Sequence, residues 1–165
     1  MREKKTKRLT MGAVFTALSI ILLILSTTLP LFEMTLLALA SAMPALMIIE
    51  TGVVGGLLVY GATSILGLII VPNKVMVFPY IFLFGLYGIV KFYAEKIKST
   101  IIQMLIKITF FTVAFYAFGG VLLANTRFSS VTNIMLVGIG VVFALIFDYI
   151  YSLGLGWYMR KFNKN

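Results

Sequence analysis

The chain has 165 residues, of which 61% are hydrophobic and 12% charged, and its net charge is +9. An ordinary soluble domain is about half apolar and about a quarter charged, so the excess apolar surface here must face lipid. With no Cys, no His and only five acidic residues, the chain is excluded from disulfide and thiolate chemistry, Cys/His metal sites, a His general base and a Ser/His/Asp triad, and a carboxylate metal site or carboxylate pair is poorly supplied.

Arg2, Lys4, Lys5, Lys7 and Arg8 open the chain, and an apolar run over residues 9–29 follows. A cleavable signal core is about 7–15 residues long, whereas this run is about 20, so it is expected to stay as a first span. Pro30 ends it, and Leu31, Phe32 and Glu33 are expected to form a tight connection. The second run, residues 34–49, contains Pro44, which predicts a kink or a re-entrant bend. Glu50 and Thr51 mark the next turn. A Gly-rich third span covers residues 52–71, and Pro72-Asn73-Lys74 is a turn signal. The fourth span covers residues 75–90, with Pro79 in its first turns. Lys91, Glu95, Lys96 and Lys98 make residues 91–99 the main polar interruption. The fifth span covers residues 101–124. A polar loop with Arg127 precedes the sixth span, residues 134–158, and Arg160, Lys161 and Lys164 follow it.

The expected fold is therefore all-α: a polytopic membrane bundle of six transmembrane helices, one domain over residues 1–165, with both termini cytoplasmic in the cell membrane. Counting supports that orientation. With Lys107 of the fifth span snorkelling inward, twelve of the fourteen basic residues fall on one side, and only Lys74 and Arg127 on the other, as the positive-inside rule requires. This placement at span ends also explains the net charge without nucleic acid.

Three groups of residues are candidates for function. Ala13 and Ala17 stand four apart on the first span and share a face, next to Gly12. Gly52 and Gly56 repeat that spacing on the third span. Small residues so placed let helices approach closely in lipid, either within the bundle or against a membrane partner. Asp148 lies at membrane depth, where an unpaired carboxylate costs about 2.5–3.5 kcal/mol. It is expected to pair with Lys107, with Tyr149, Tyr151 and Ser152 nearby, as a structural ion pair or a coupled switch. Glu33, Asn73, Lys74, Asn125, Arg127 and Asn133 at the outer ends, with Tyr80 and Tyr87 on span four, could line a mouth for a small ligand, or simply be solvated loop and interfacial residues. Phe110, Phe111, Phe115 and Phe118 read as packing. No Gly-rich phosphate loop, metal site or cofactor site is expected.

In general form the chain resembles the substrate-binding S-components of energy-coupling-factor vitamin transporters. The similarity lies in its size, its six spans with basic ends inside, Lys7-Arg8-Leu9-Thr10 leading into Ala13-x-x-x-Ala17, the Gly-rich third span and the Pro72-Asn73-Lys74 turn. The resemblance implies a non-enzymatic transport subunit that captures a vitamin-like molecule under its outer loops and is energised by a separate membrane coupling subunit with ATPases. It also implies that Ala13 and Ala17 face that partner. The absence of His disfavours a nickel or cobalt cargo. The competing expectation is a non-transport membrane scaffold or regulatory protein, such as a cell-shape or division-complex subunit. An intramembrane enzyme would have to work with Asp148, Lys107, Ser or Tyr alone.

Overall fold

An apolar chain in lipid has no water to satisfy its peptide groups, so each long apolar run closes its own hydrogen bonds as a helix. The computed structural model describes residues 2–123 and 130–162, without the side chains of residues 2–5, 76, 115–137, 139 and 162. All regular structure there is helical. We label the helices α1 (Arg2–Thr28), α2 (Glu33–Thr51), α3 (Val53–Ile70), α4 (Val77–Ala94), α5 (Thr100–Leu123) and α6 (Ser130–Phe162). Among the described residues five segments are long and apolar enough to cross a membrane: Thr6–Thr28, Pro30–Thr51, Val53–Ile70, Val77–Ala94 and Gly140–Lys161. A further apolar segment, Thr100–Ala114, begins α5. The chain is a multi-pass helical membrane protein. It divides into two compact units, Met1–Phe92 and Tyr93–Asn165.

In the first unit α1, α2 and α3 pack against one another. Several expected boundaries move. Glu33, Glu50 and Thr51 are not connections but belong to α2, which has 19 residues, or roughly 28 Å at 1.5 Å per residue. That matches a hydrocarbon core of about 30 Å, so the second run is a full span. Glu33 sits in its first turn, where the helix dipole favours a carboxylate. The link to α3 shrinks to Gly52, whose φ of 88° and ψ of 176° lie in a region essentially reserved for glycine.

No re-entrant bend forms at Pro44, because α2 is helical throughout. Proline lacks an N–H, so the Ala40 carbonyl loses its partner within the helix. The completely buried Ser19 of α1 replaces it. Its hydroxyl lies 2.9 Å from the Phe15 carbonyl and 3.3 Å from the Ala40 carbonyl. Gly56 brings α3 against the same part of α2. A Cβ there would lie 2.9 Å from the Pro44 carbonyl oxygen and would also meet the Ile48 side chain. At the far end of α1, Ser26, Thr27 and Thr28 each donate a hydroxyl to the carbonyl three residues earlier. These bonds give the three hydroxyls acceptors within their own helix.

The expected span over residues 75–90 becomes Val77–Ala94, so Lys91 lies inside a helix and is only 3% exposed, not in a polar loop. Within α4, residues Tyr80–Phe84 after Pro79 form a π-helical turn. In the second unit α5 packs on α6. The polar interruption is the short turn over residues 95–99, tied to α5 by Gln103 Nε2 donating to the Ile97 carbonyl at 2.7 Å.

Candidate functional site

Three features could carry function, and the first is a groove on the first unit. Arg8, Gly12, Thr16 and Ile20 recur every four residues on α1, with Leu9, Ala13 and Ala17 beside them, so one helix face is lined mostly by small side chains. Gly55 and Ala62 do the same on α3. Too little side-chain bulk projects between the two helices to fill the space. A groove of about 760 Å³ remains, floored by Met47 and Val59. Ala13 and Ala17 are both exposed along it. Arg8, also exposed, is the one charged residue among the described residues of its lining.

The second feature is a buried set of hydroxyls. A π-helical turn disturbs the regular i→i−4 ladder, and here the Ile81 carbonyl accepts a hydrogen bond from Tyr60 Oη at 2.9 Å. The Tyr60 and Tyr80 rings lie 6.3 Å apart. Tyr80 and Thr63 are completely buried, and neither hydroxyl has a hydrogen-bond partner among the described residues. Hydroxyls in an apolar core can hold a small polar group, but they supply neither an acid nor a base near neutral pH.

The third feature is an ion pair in the second unit. Lys107 Nζ lies 2.8 and 2.9 Å from the two carboxylate oxygens of Asp148 and 3.5 Å from Glu95 Oε1. Phe111, one turn beyond Lys107, meets Phe147 at 5.7 Å and Phe143 at 6.4 Å, both edge to face. Phe143, Phe147 and Tyr151 stack along α6 at spacings of four residues. The charges therefore stand beside an aromatic wall of low dielectric, where their attraction is strengthened. Ser152 donates its hydroxyl to the Asp148 carbonyl at 2.6 Å. Among the described residues no cluster of three His, Cys, Asp or Glu could hold a metal ion.

The residues singled out in the sequence are placed as follows. Lys107 and Asp148 are brought together, and Ala13 and Ala17 share the groove. Tyr80 is not at an open mouth but sealed in the core, because the π turn directs it inward. Tyr87 is likewise fully buried. Asn73 and Lys74 act locally. Asn73 Oδ1 accepts from the Val75 N–H at 3.2 Å, and Lys74 Nζ donates to the Ile69 carbonyl at 3.0 Å near the end of α3. Glu33 is half-buried in the first turn of α2. Asn125 and Arg127 lie outside the described residues, as does the side chain of Asn133.

Sequence reasoning missed Glu95, Ser19, Thr63 and Arg8. Glu95 was visible as the acid next to the fifth span, on the side where Lys107 enters. Ser19 was implied by Pro44, since a buried proline needs a donor for the carbonyl it releases. Compared with known proteins, the chain matches no family model, no curated protein and no solved structure.

Proposed function

We propose that the protein is the substrate-capturing membrane subunit of a small-molecule uptake transporter, energised by a separate coupling subunit with ATPases. The observation that carries this reading is the exposed small-residue face of Ala13 and Ala17 along the α1 groove. Other large helices of a membrane partner could approach such a face closely. The similarity in form to energy-coupling-factor S-components points the same way.

In this reading α5, helical over 24 residues, completes six spans, and both ends lie on the cytoplasmic side of the cell membrane. Ligand enters from the outer ends of the helices. The partner then reorients the bundle. The subunit itself performs no hydrolysis.

The test is a pull-down of membrane partners with wild type, Ala13→Trp and Ala17→Trp, alongside mass spectrometry of retained small molecules. The transport reading expects a coupling subunit with wild type, its loss from both variants, and unchanged helical content and melting. Undiminished co-purification with the variants would overturn it.

A further inference from the structure

The α1–α3 groove has the dimensions and chemistry of a lipid site, and we propose that it holds one acyl chain of a phospholipid with an anionic headgroup, the phosphate resting on Arg8. Length is the first argument. Along α1 the lining runs from Arg8 to Ile20, and along α3 from Val54 to Leu66. Twelve residues of helix rise roughly 18 Å, against about 15 Å for one leaflet of a hydrocarbon core of about 30 Å. The short links before and after α2 make α1 and α3 run in the same direction, so both edges start from the same membrane surface. The groove thus reaches from that surface to about the midplane, the depth of one chain.

Polarity is the second argument. Along its length the groove offers small and aliphatic side chains with two threonines, of which Thr16 is buried and Thr51 donates its hydroxyl to the Met47 carbonyl at 2.9 Å. The one charge among the described lining residues stands at the end where a headgroup would lie. Arg8 precedes the apolar run, and among the described residues no carboxylate forms an ion pair with it. A guanidinium binds phosphate oxygens in a planar, two-pronged geometry. A zwitterionic lipid carries a choline cation beside its phosphate, which offsets the attraction, so the site prefers a net anionic headgroup. The basic residues Arg2, Lys4, Lys5 and Lys7 raise the local concentration of such lipids. Lys7, whose side chain is described, does not line the groove. The proposal does not rest on the transport reading; a partner docking on α1 would displace the lipid.

The experiment reconstitutes the full chain in bilayers of equal phosphatidylglycerol and phosphatidylcholine with identical chains. The protein is extracted in mild detergent, and retained lipid is counted by native mass spectrometry. Wild type is expected to keep one phosphatidylglycerol in preference to phosphatidylcholine. Arg8→Gln should lower that preference about five- to tenfold, the range expected for one basic contact, while Lys7→Gln changes it much less. Ala17→Phe, which fills the groove, should lose lipids of both kinds. Ala62→Phe obstructs it from α3 if the first variant does not fold. The idea is overturned if wild type shows no headgroup preference, if Lys7→Gln weakens it as much as Arg8→Gln, or if filled-groove variants that fold retain the lipid.

Discussion

In the first unit helices meet through what their surfaces lack, and in the second through what they add. Gly56 has no side chain to hold α3 away from Pro44, and the Ala40 carbonyl that Pro44 frees in α2 lies 3.3 Å from the Ser19 hydroxyl of α1. Between α5 and α6 the contact is Phe against Phe and ammonium against carboxylate. Lipid tails are as apolar as leucine, so burying apolar area gives helices in a membrane no reason to associate. Association has to come from close backbone contact or from polar and aromatic pairs that are better satisfied inside. The first unit leans on close approach at Gly56, helped by the hydroxyl bonds of Ser19 and Tyr60, and the second on its ion pair and aromatic rings. The first should therefore be sensitive to added atoms and the second to removed ones.

The largest effect is expected from the ion pair. Lys107→Met leaves Asp148 beside aromatic rings without its ammonium and should cost about 3 kcal/mol, the low end for breaking a buried pair. The low end applies because the Asp148 side chain keeps 24% of its surface accessible. Lys107→Met with Asp148→Leu should recover most of that loss, since the carboxylate that remains, Glu95, keeps 46% of its side-chain surface accessible to water. Reversible unfolding in mixed detergent measures both. Equal destabilisation by the single and double changes would show that the aromatic wall, not the charge, holds α5 to α6.

The opposite manipulation sharpens the comparison in the first unit. Gly56→Ala adds one methyl group where backbone stands 2.9 Å away, and it should cost about 2 kcal/mol by overpacking. Gly138→Ala on α6, where a Cβ meets nothing within 4 Å among the described residues, should be neutral or slightly stabilising by helix propensity. A loss at Gly138 comparable with that at Gly56 would contradict the contrast between the units.

Much of this was legible because lipid imposes a simple grammar. Residues 52–71 read as a span from apolar length alone, and they became Val53–Ile70; residues 101–124 fall on the helix Thr100–Leu123. Asp148 announced its need for a partner because a lone carboxylate at that depth is costly, and Lys107 was the nearest basic residue at membrane depth on the adjacent span. What was not legible depended on contacts between helices. Polar letters at Glu50 and Lys91 looked like span ends, yet the helices continue through both. A helix end is set by where the next turn can form, and only Gly52 could take that conformation. Tyr80 read as interfacial because tyrosine often is. Its burial follows from the π turn after Pro79, which no residue pattern revealed.

The smallest expected effect is also the most diagnostic. Ser19→Ala removes a hydroxyl whose bonds should be worth about 1 kcal/mol or less in a membrane. The size alone cannot distinguish a bond within α1, to Phe15, from one across to Ala40 of α2. Pro44 separates them. In a Pro44→Ala background the new amide N–H can bond Ala40 within α2 itself, so the carbonyl no longer needs Ser19. If the serine's role is to answer that carbonyl, Ser19→Ala should cost about 1 kcal/mol beside Pro44 and close to nothing beside Ala, a coupling measurable by a double-mutant cycle. Equal costs in the two backgrounds would assign the hydroxyl to its own helix.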